Sequence, residues 1–520
     1  MRLGRALILL TVLTSTAQAA DLSIAVSSAP FSIDPHYYNA VTDKALAVHL
    51  FDRLVDVSVD VKPVPALATG WKTSSDTVWE FTLRPGVVWQ DGVPFSPDDV
   101  VFSLARAPRV PNSPGGFGPM LRAVRQVEVT GPLSLRITTE KATPNLPIDL
   151  SNIAIVSRHA GETATTADYN SGRAAIGTGP YRMTRFAIGD RVELTRNEGW
   201  WGVKPEWEHV SYRFITDNAA RTAALLSGDV ELIDAPSLDT LAQLRQDPKV
   251  QVFDTFGVRT YYLYPDFAHA GESPFVTDAA GQKLPHNPLL DVRVRQALSM
   301  AINQAAIADR VLQGTGVPTG QWMWPGAYSY APDVAPPVYD PARARALLAE
   351  AGYPQGFHIA LHEPGDTGTN SVIAQAVAQM WTRVGVATEV VNLPSSVFYG
   401  RANRHEFSIA QESWGSVSGE AGYLLTNVLG TQDAALGRGP FNAGGYSNPA
   451  LDALTDQALA TLDGGVREGL LIRAVRLASE DVAIIPLYQL KNLWAARRGI
   501  VYEARPDQRT LAMSAHLVAK

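Results

Sequence analysis

The sequence predicts a mixed α/β protein of two to four domains, and three observations lead there. The composition is globular, with 46% of the 520 residues hydrophobic and 18% charged, and that length holds several domains of roughly 100–200 residues each. Stretches of period-two alternation recur between stretches of helical spacing. A strand–helix–strand unit is written across 357–391, and in a parallel sheet its crossover is right-handed. The 41 Gly and 35 Pro are spread along the chain and mark turns rather than a disordered tract.

In chain order, the first element is a secretion signal. Arg2 and Arg5 precede an apolar run at 6–13, and Ala17-Gln18-Ala19 is a small-residue cleavage site, so the mature chain is expected to begin at Ala20. The run is too short to span a bilayer, and no later run approaches the ~18–20 apolar residues that spanning needs. Removing 1–19 takes away two basic residues and no acidic one, so 44 basic against 51 acidic becomes 42 against 51, a net −9. That balance argues against nucleic acid and against anionic membrane as partners. There is no cysteine, which excludes disulfides, thiolate metal sites, thiol nucleophiles and a lipid anchor on cysteine.

The mature chain opens with a strand at 22–26. Trp79, Phe81 and Leu83 alternate as a second strand, and 127–137 reads as a hairpin around Thr130-Gly131-Pro132. Between them Ser96-Pro97-Asp98-Asp99 starts a helix, with Ser96 as cap, Pro97 in the first turn and two carboxylates at the positive end of the dipole. Val294, Ala297, Leu298, Ala301, Ile302 and Ala305 predict one amphipathic helix over 291–312. Asp340-Pro341 to Gly352 predicts another. Strands at 357–361 and 386–391 flank a helix at 371–384. A short helix at 397–404 leads to a strand at 407–410 and then to a loop carrying Trp414. Ligands of open α/β sheets sit outside the carboxyl ends of the strands, which is where this loop falls.

Several segments together resemble the family 5 bacterial extracellular solute-binding proteins, the dipeptide-, oligopeptide-, nickel- and glutathione-binding proteins of ABC importers. They are Asp34-Pro35-His36, Phe51-Asp52-Arg53-Leu54, Trp79 to Val87 with Trp89-Gln90-Asp91-Gly92, Gly177-Thr178-Gly179-Pro180-Tyr181, Asn197 to Gly202, Leu226 to Leu232, Asp291 to Leu298, and Tyr339-Asp340-Pro341. Much of this pattern reads as turns and core, so it identifies the fold and not the ligand. Gly177 to Pro180 in particular lacks the helix start and Lys of a phosphate loop.

The resemblance implies a periplasmic binding protein of type II, cluster C: two hinged lobes closing on a guest, with an additional α+β domain. After the signal at 1–19, lobe I would comprise 20–55, 178–258 and 485–520. The extra domain would be 56–177, and lobe III 259–484. Hinge crossings are expected near 259–265 and 485–490. The resemblance also implies a monomer, free in the periplasm, that delivers a small peptide or peptide-like solute to the permease subunits of an ABC importer. It implies no enzymatic activity and no cofactor or metal.

In peptide-binding relatives the guest's ammonium meets an Asp three residues after a loop Trp. Here that Trp is Trp414 and the Asp position is Val417. A buried ammonium without a carboxylate is costly, so glutathione, an opine-like amino-acid conjugate or a metal chelate stand as alternative guests. The segment 413–421 is closer to the glutathione-binding branch, and Glu420 is the nearest acid that could replace the lost charge. The remaining expected contacts are Tyr38, Asn39, Ala40 and Val41, which align with the segment whose backbone meets the guest, together with Tyr262 by the hinge, and Gly415 and Ser416 beside Trp414. Tyr261 shares the hinge region, and Trp322 and Trp324 are candidates to cover the opening. An exported hydrolase is the distant rival, but HExxH, GxSxG and P-loop patterns are absent, and the 10 His show no ligand spacing. A chaperone-like binder of unfolded chains is the other.

Overall fold

The computed structural model describes residues 21–365, 368–416 and 418–518. The secretion signal read at 1–19 and the site position Val417 lie outside them.

A twelve-stranded sheet runs through the molecule. At its centre two long strands, Val250–Pro265 and Ile485–Arg497, pair antiparallel along nearly their whole lengths. Beyond Ile485–Arg497 lie Leu232–Asp234, Asp21–Val26, His209–Phe214, Arg191–Arg196 and Tyr181–Ala187. Beyond Val250–Pro265 lie Ile409–Gly415 and Phe357–Pro364, and Val386–Leu393 pairs with the latter. Asp21–Val26 is parallel to both of its neighbours, and Phe357–Pro364 is parallel to Val386–Leu393 and Ile409–Gly415. Each half therefore has a parallel centre covered by helices, and only the two long strands are common to both. A separate antiparallel sheet of Ala68–Ser75, Val78–Leu83, Ser134–Thr139 and Val124–Gly131, with the helix Pro97–Arg106, makes the additional α+β domain. This is the two-lobed type II architecture.

The register of the long pair shifts between Phe256 and Thr260. Gly257 sits in the shift, where a Cβ would lie 2.6 Å from Asn492 Oδ1 and 2.7 Å from the Leu490 carbonyl. Asn492 is buried and donates through Nδ2 to the carbonyls of Arg505 and Pro506, at 2.9 Å each. The strand break is thus packed against a defined turn of the C-terminal segment.

Local signals explain the elements. Ser96 and Asp99 form a capping box at the start of Pro97–Arg106, satisfying amide groups that the first helical turn leaves open. Asp340 accepts from the Arg343 amide at the start of Pro341–Glu350, and Gly352 takes the left-handed conformation after its end. Two expectations fail. The helix expected over 291–312 stops after Val292–Met300. Asn303 leaves the helical region there, and its side chain accepts from the Ala306 amide to start the next turn, because Asn competes with the helix for backbone donors. The strand expected at 407–410 instead runs Ile409–Gly415, so Trp414 is a strand residue, not a loop residue. Seven residues paired with the long central strand outweigh the weak local preference of Ser and Gly for turns.

The sequence segments that carried the family resemblance converge on one place. Trp201 Nε1 donates to Asp52 Oδ2 at 2.7 Å, Asn197 Nδ2 to the Gly179 carbonyl at 2.9 Å, and the Gly179 amide to the Leu50 carbonyl at 3.0 Å. A Cβ on Gly177 would lie 1.7 Å from the Leu50 carbonyl oxygen, so only glycine fits. Gly177→Ala should destabilise the protein by more than about 3 kcal/mol, because backbone on both sides must move. Urea denaturation measures this, and an unchanged midpoint would contradict the packing described.

Candidate functional site

A cleft of about 940 Å³ lies between the two halves of the sheet. One wall is built where Asp21–Val26 and Leu232–Asp234 end, from Ser27 and 234–239, with Val41 and Thr42 from the start of the helix Val41–Leu50. The other wall carries 310–313 and the start of the helix Gly368–Thr382. The floor is the long strand pair itself, with Tyr261 stacked on Tyr488 at 4.6 Å and 13° between planes. Carboxyl ends of parallel strands open toward this space from both sides, as the rule for open α/β sheets requires. At its edge the Asp234 carboxyl accepts from the Ser27 amide at 2.7 Å. Burial pushes that carboxyl up to about 6 against the pull of Arg221.

The expected contacts separate into groups. Of the N-terminal four, Tyr38 packs edge-on against Phe31 at 4.7 Å and bridges to Gly115. The Asn39 amide donates to the Gly115 carbonyl at 2.9 Å. Ala40 caps the helix Val41–Leu50, and Val41 is exposed on the cleft wall. Opposite-residue pairing places Tyr261, Ser413, Arg259 and Gly415 on one face, and Thr260, Trp414, Tyr262 and Glu412 on the other. The Arg259 guanidinium donates to Ser413 Oγ at 3.0 Å, and Gly415 lies next to that guanidinium. Trp414 forms an aromatic group with Tyr423 and Phe441, with centroids 5.4 and 5.3 Å away. The Ser416 amide donates to the Val258 carbonyl at 2.8 Å.

Three expectations are corrected by burial and pairing. Tyr262 is 2% exposed within a large hydrophobic core, and it is Tyr261, on the opposite face of the strand, that reaches the cleft. Trp322 and Trp324 are buried in that same core and do not cover the opening. Glu420, expected to face the cleft, is buried in an ion pair with Arg467. Asn145 of the extra domain joins both: its Nδ2 donates to Glu420 Oε1 at 2.8 Å, and its Oδ1 accepts from Arg467 at 2.6 Å. The charge of Glu420 is therefore already used. Beside this trio stands Asp149, whose carboxyl burial and the Glu420 charge push up to about 7, with Arg467 offsetting part.

Four polar atoms on the expected segments are buried and find no hydrogen-bond partner among the described residues: Asn39 Oδ1, Trp414 Nε1, Ser416 Oγ and Ser418 Oγ. Such an atom costs about 1–3 kcal/mol when left unmatched, and buried polar groups in native proteins are overwhelmingly paired. All four lie on the two segments predicted to hold a guest, and none of the four residues lines the cleft floored by Tyr261 and Tyr488. Sequence reading missed Asp149 and Asn145, because nothing local marks a residue whose partners, Glu420 and Arg467, lie about 270–320 positions away. Replacing Arg467 by Met should cost about 3–5 kcal/mol, since Glu420 is then buried unpaired beside a second carboxyl. Glu420→Gln should cost less, and the double variant Glu420→Gln, Arg467→Met should recover stability relative to Arg467→Met alone. Denaturation midpoints of the three proteins decide it.

Comparison with known proteins completes the description. A family model described as bacterial extracellular solute-binding proteins, family 5 Middle, matches residues 62–435. The dipeptide-binding protein of Escherichia coli (strain K12) is 28% identical over 452 residues, covering 81% of this chain and 80% of that protein. Heme-binding protein A of Haemophilus influenzae is 28% identical, with 86% and 82% covered, and the glutathione-binding protein GsiB of Salmonella typhimurium is 27% identical, with 90% and 89% covered. Among solved structures, HbpA2 from Haemophilus parasuis superposes with a TM-score of 0.83 at 24% identity, covering 96% of this chain and 100% of that one. The periplasmic murein tripeptide binding protein MppA, in its unliganded open form, gives 0.83 at 23%, with 97% and 98% covered. Both likenesses concern the fold.

Proposed function

The chain belongs to the family 5 bacterial extracellular solute-binding proteins, and from that premise we propose that it captures a small peptide or peptide-like solute between its two lobes. It then hands the solute to the permease subunits of an ABC importer, acting as a monomer in the periplasm without catalysis. The observation that carries the reading is the interlobe cleft, walled by strand ends from both lobes and floored by the long strand pair they share. The unmatched atoms on Asn39, Trp414, Ser416 and Ser418, which lie beyond the lining of that cleft, support a guest that both donates and accepts hydrogen bonds, as a peptide backbone does. The dipeptide- and glutathione-binding relatives support the same class of guest. No helix among the described residues is long and apolar enough to cross a membrane, in keeping with a carrier that moves freely.

The mechanism is a population shift. Open and closed arrangements exchange by bending of the strand pair near 257–259, where its register breaks. A guest that touches both lobes favours the closed arrangement by its differential affinity alone. A micromolar guest supplies about 8 kcal/mol, enough to move a gap of a few kcal/mol. The closed shape is what the permease reads. The layout 20–55, 178–258 and 485–520 for lobe I, 56–177 for the extra domain and 259–484 for lobe III is the division under which such a motion is a rigid swing.

Native mass spectrometry of protein taken from the periplasm tests the reading, with a stoichiometric small molecule as the expected finding. In calorimetry against short peptides, glutathione and amino-acid conjugates, one class should saturate. For that class Trp414→Ala should weaken binding about tenfold or more at a temperature where the variant is still folded, since an indole wall contributes both area and a donor. Equal affinity in the variant would remove Trp414 from the site, and no saturable guest at all would sink the carrier reading.

A further inference from the structure

The interlobe cleft uses neither Trp322 nor Trp324. Trp322 belongs to a hydrophobic core and is 1% exposed. It also lines a second cavity, of about 440 Å³, that shares no lining residue with the cleft. Small-molecule sites run from about 300 to 1,000 Å³, so the space is large enough for one. Inside it, Trp322 Nε1 is buried and has no hydrogen-bond partner among the described residues. An indole nitrogen donates and cannot accept. A buried donor left unmatched is rare in native proteins, and this one belongs to a cavity wall.

The other walls are mainly apolar. The helix Val292–Met300 presents Gln296, Ser299 and Met300, which share one side at spacings of three and four. Val334 and Pro337 come from the segment before the helix Pro341–Glu350. Val482 and Ile484 follow the end of the helix Gly464–Glu480. Val482 has a φ of 47°, at a place after a helix end where glycine is usual. A β-branched residue is strained in that region, and glycine there would leave the wall without a side chain. Charge is confined to the rim and largely cancelled. Arg476 donates to both carboxylate oxygens of Asp333, at 2.8 and 2.9 Å. Glu480, the remaining charged residue of the lining, is exposed. No unpaired cation lines the cavity to receive an anion.

We propose that this cavity is a second ligand site, which takes a neutral, mainly apolar small molecule carrying a carbonyl-type acceptor for the Trp322 indole. The apolar walls cover the body of the ligand and gain from its removal from water. The one free donor fixes its orientation. The Asp333 and Arg476 pair, with Glu480 beside it, turns away a carboxylate. The site does not depend on the peptide-carrier reading. Since the two linings are disjoint, a ligand here and a guest in the interlobe cleft are bound separately.

The test follows the indole itself, by magnetic resonance of mature protein carrying nitrogen-15 in its tryptophans. The Trp322 signal is the one missing from Trp322→Phe. The probes are acetophenone, which is neutral with a carbonyl, ethylbenzene, which lacks the acceptor, and benzoate, which is charged. Acetophenone should move the Trp322 signal saturably and bind about threefold or more tighter than ethylbenzene. Benzoate should leave the signal in place. In Trp322→Phe, read from the probes' own signals, the preference for acetophenone over ethylbenzene should vanish. Ala335→Trp and Gln296→Trp put bulk into opposite sides of the cavity from positions that are exposed and half-buried, and each should abolish acetophenone binding. Either one, with a melting temperature near that of wild type, suffices. Equal affinity for acetophenone and ethylbenzene in wild type overturns the role of the indole. Binding that persists in a folded, filled variant overturns the site. A Trp322 signal that acetophenone does not move, or that drifts linearly with all three probes as an adventitious additive would make it, overturns it as well. None of these outcomes touches the interlobe cleft, where peptide binding is read separately.

Discussion

The backbone pairing of Val250–Pro265 with Ile485–Arg497 is the constraint on which the rest of this molecule depends. Every other strand of the large sheet belongs to one half or the other. The two halves are joined through hydrogen bonds that do not depend on side-chain identity, and the ladder is interrupted by register shifts at Phe256/Thr260 and at Tyr261/Tyr262. The first of these shifts surrounds Gly257, and packing marks it sharply: the Asn492 side chain and the Leu490 carbonyl leave no room for a Cβ. A β-irregularity in a two-strand connection increases local twist and removes ladder bonds, so flexibility is confined to a few residues while both walls of the cleft stay rigid.

The chemistry of the cleft follows from the same arrangement. Parallel strands that end toward a common space bring loop amides, helix starts and short polar side chains together without a dedicated motif. The walls hold Ser, Thr, Asn and Asp, and the floor holds a stacked tyrosine pair. Beyond that lining, the unmatched atoms on Asn39, Trp414, Ser416 and Ser418 cost energy in the empty protein. That cost is a form of preorganisation, since groups already held in place and stripped of water lose less on receiving a guest. The ion pair of Glu420 and Arg467 does the opposite work, using charge to fix the meeting of lobe III and the extra domain.

How much of this was legible in the sequence depended on range. The Ser96 and Asp340 caps, the hairpin of Val124–Gly131 with Ser134–Thr139 and the parallel unit from Phe357 to Leu393 could be read because their causes are local: a cap, a turn, a period. The fold class could be read because turn and core segments recur in one order along the chain. The position of Trp414 at the end of a strand was missed by a few residues, since the pairing that extends the strand comes from a segment about 150 positions away. Tyr261 and Tyr262 are neighbours with opposite fates, and only the pairing register decides which one reaches the cleft. Glu420 looked free because Arg467 and Asn145 are distant in sequence, and a charge is known to be satisfied only when its partner is in view.

Gly177 and Gly179 have a consequence for how the molecule opens locally. Both press onto the backbone at the end of the helix Val41–Leu50, one by contact and one by a hydrogen bond, at the point where the chain returns from the extra domain. A graft seated on main chain has no side-chain layer to loosen first. The inserted domain and that helix should therefore exchange their amide protons together, as one cooperative block, and a cleft wall is guarded by the stability of a domain that contributes almost nothing to its surface.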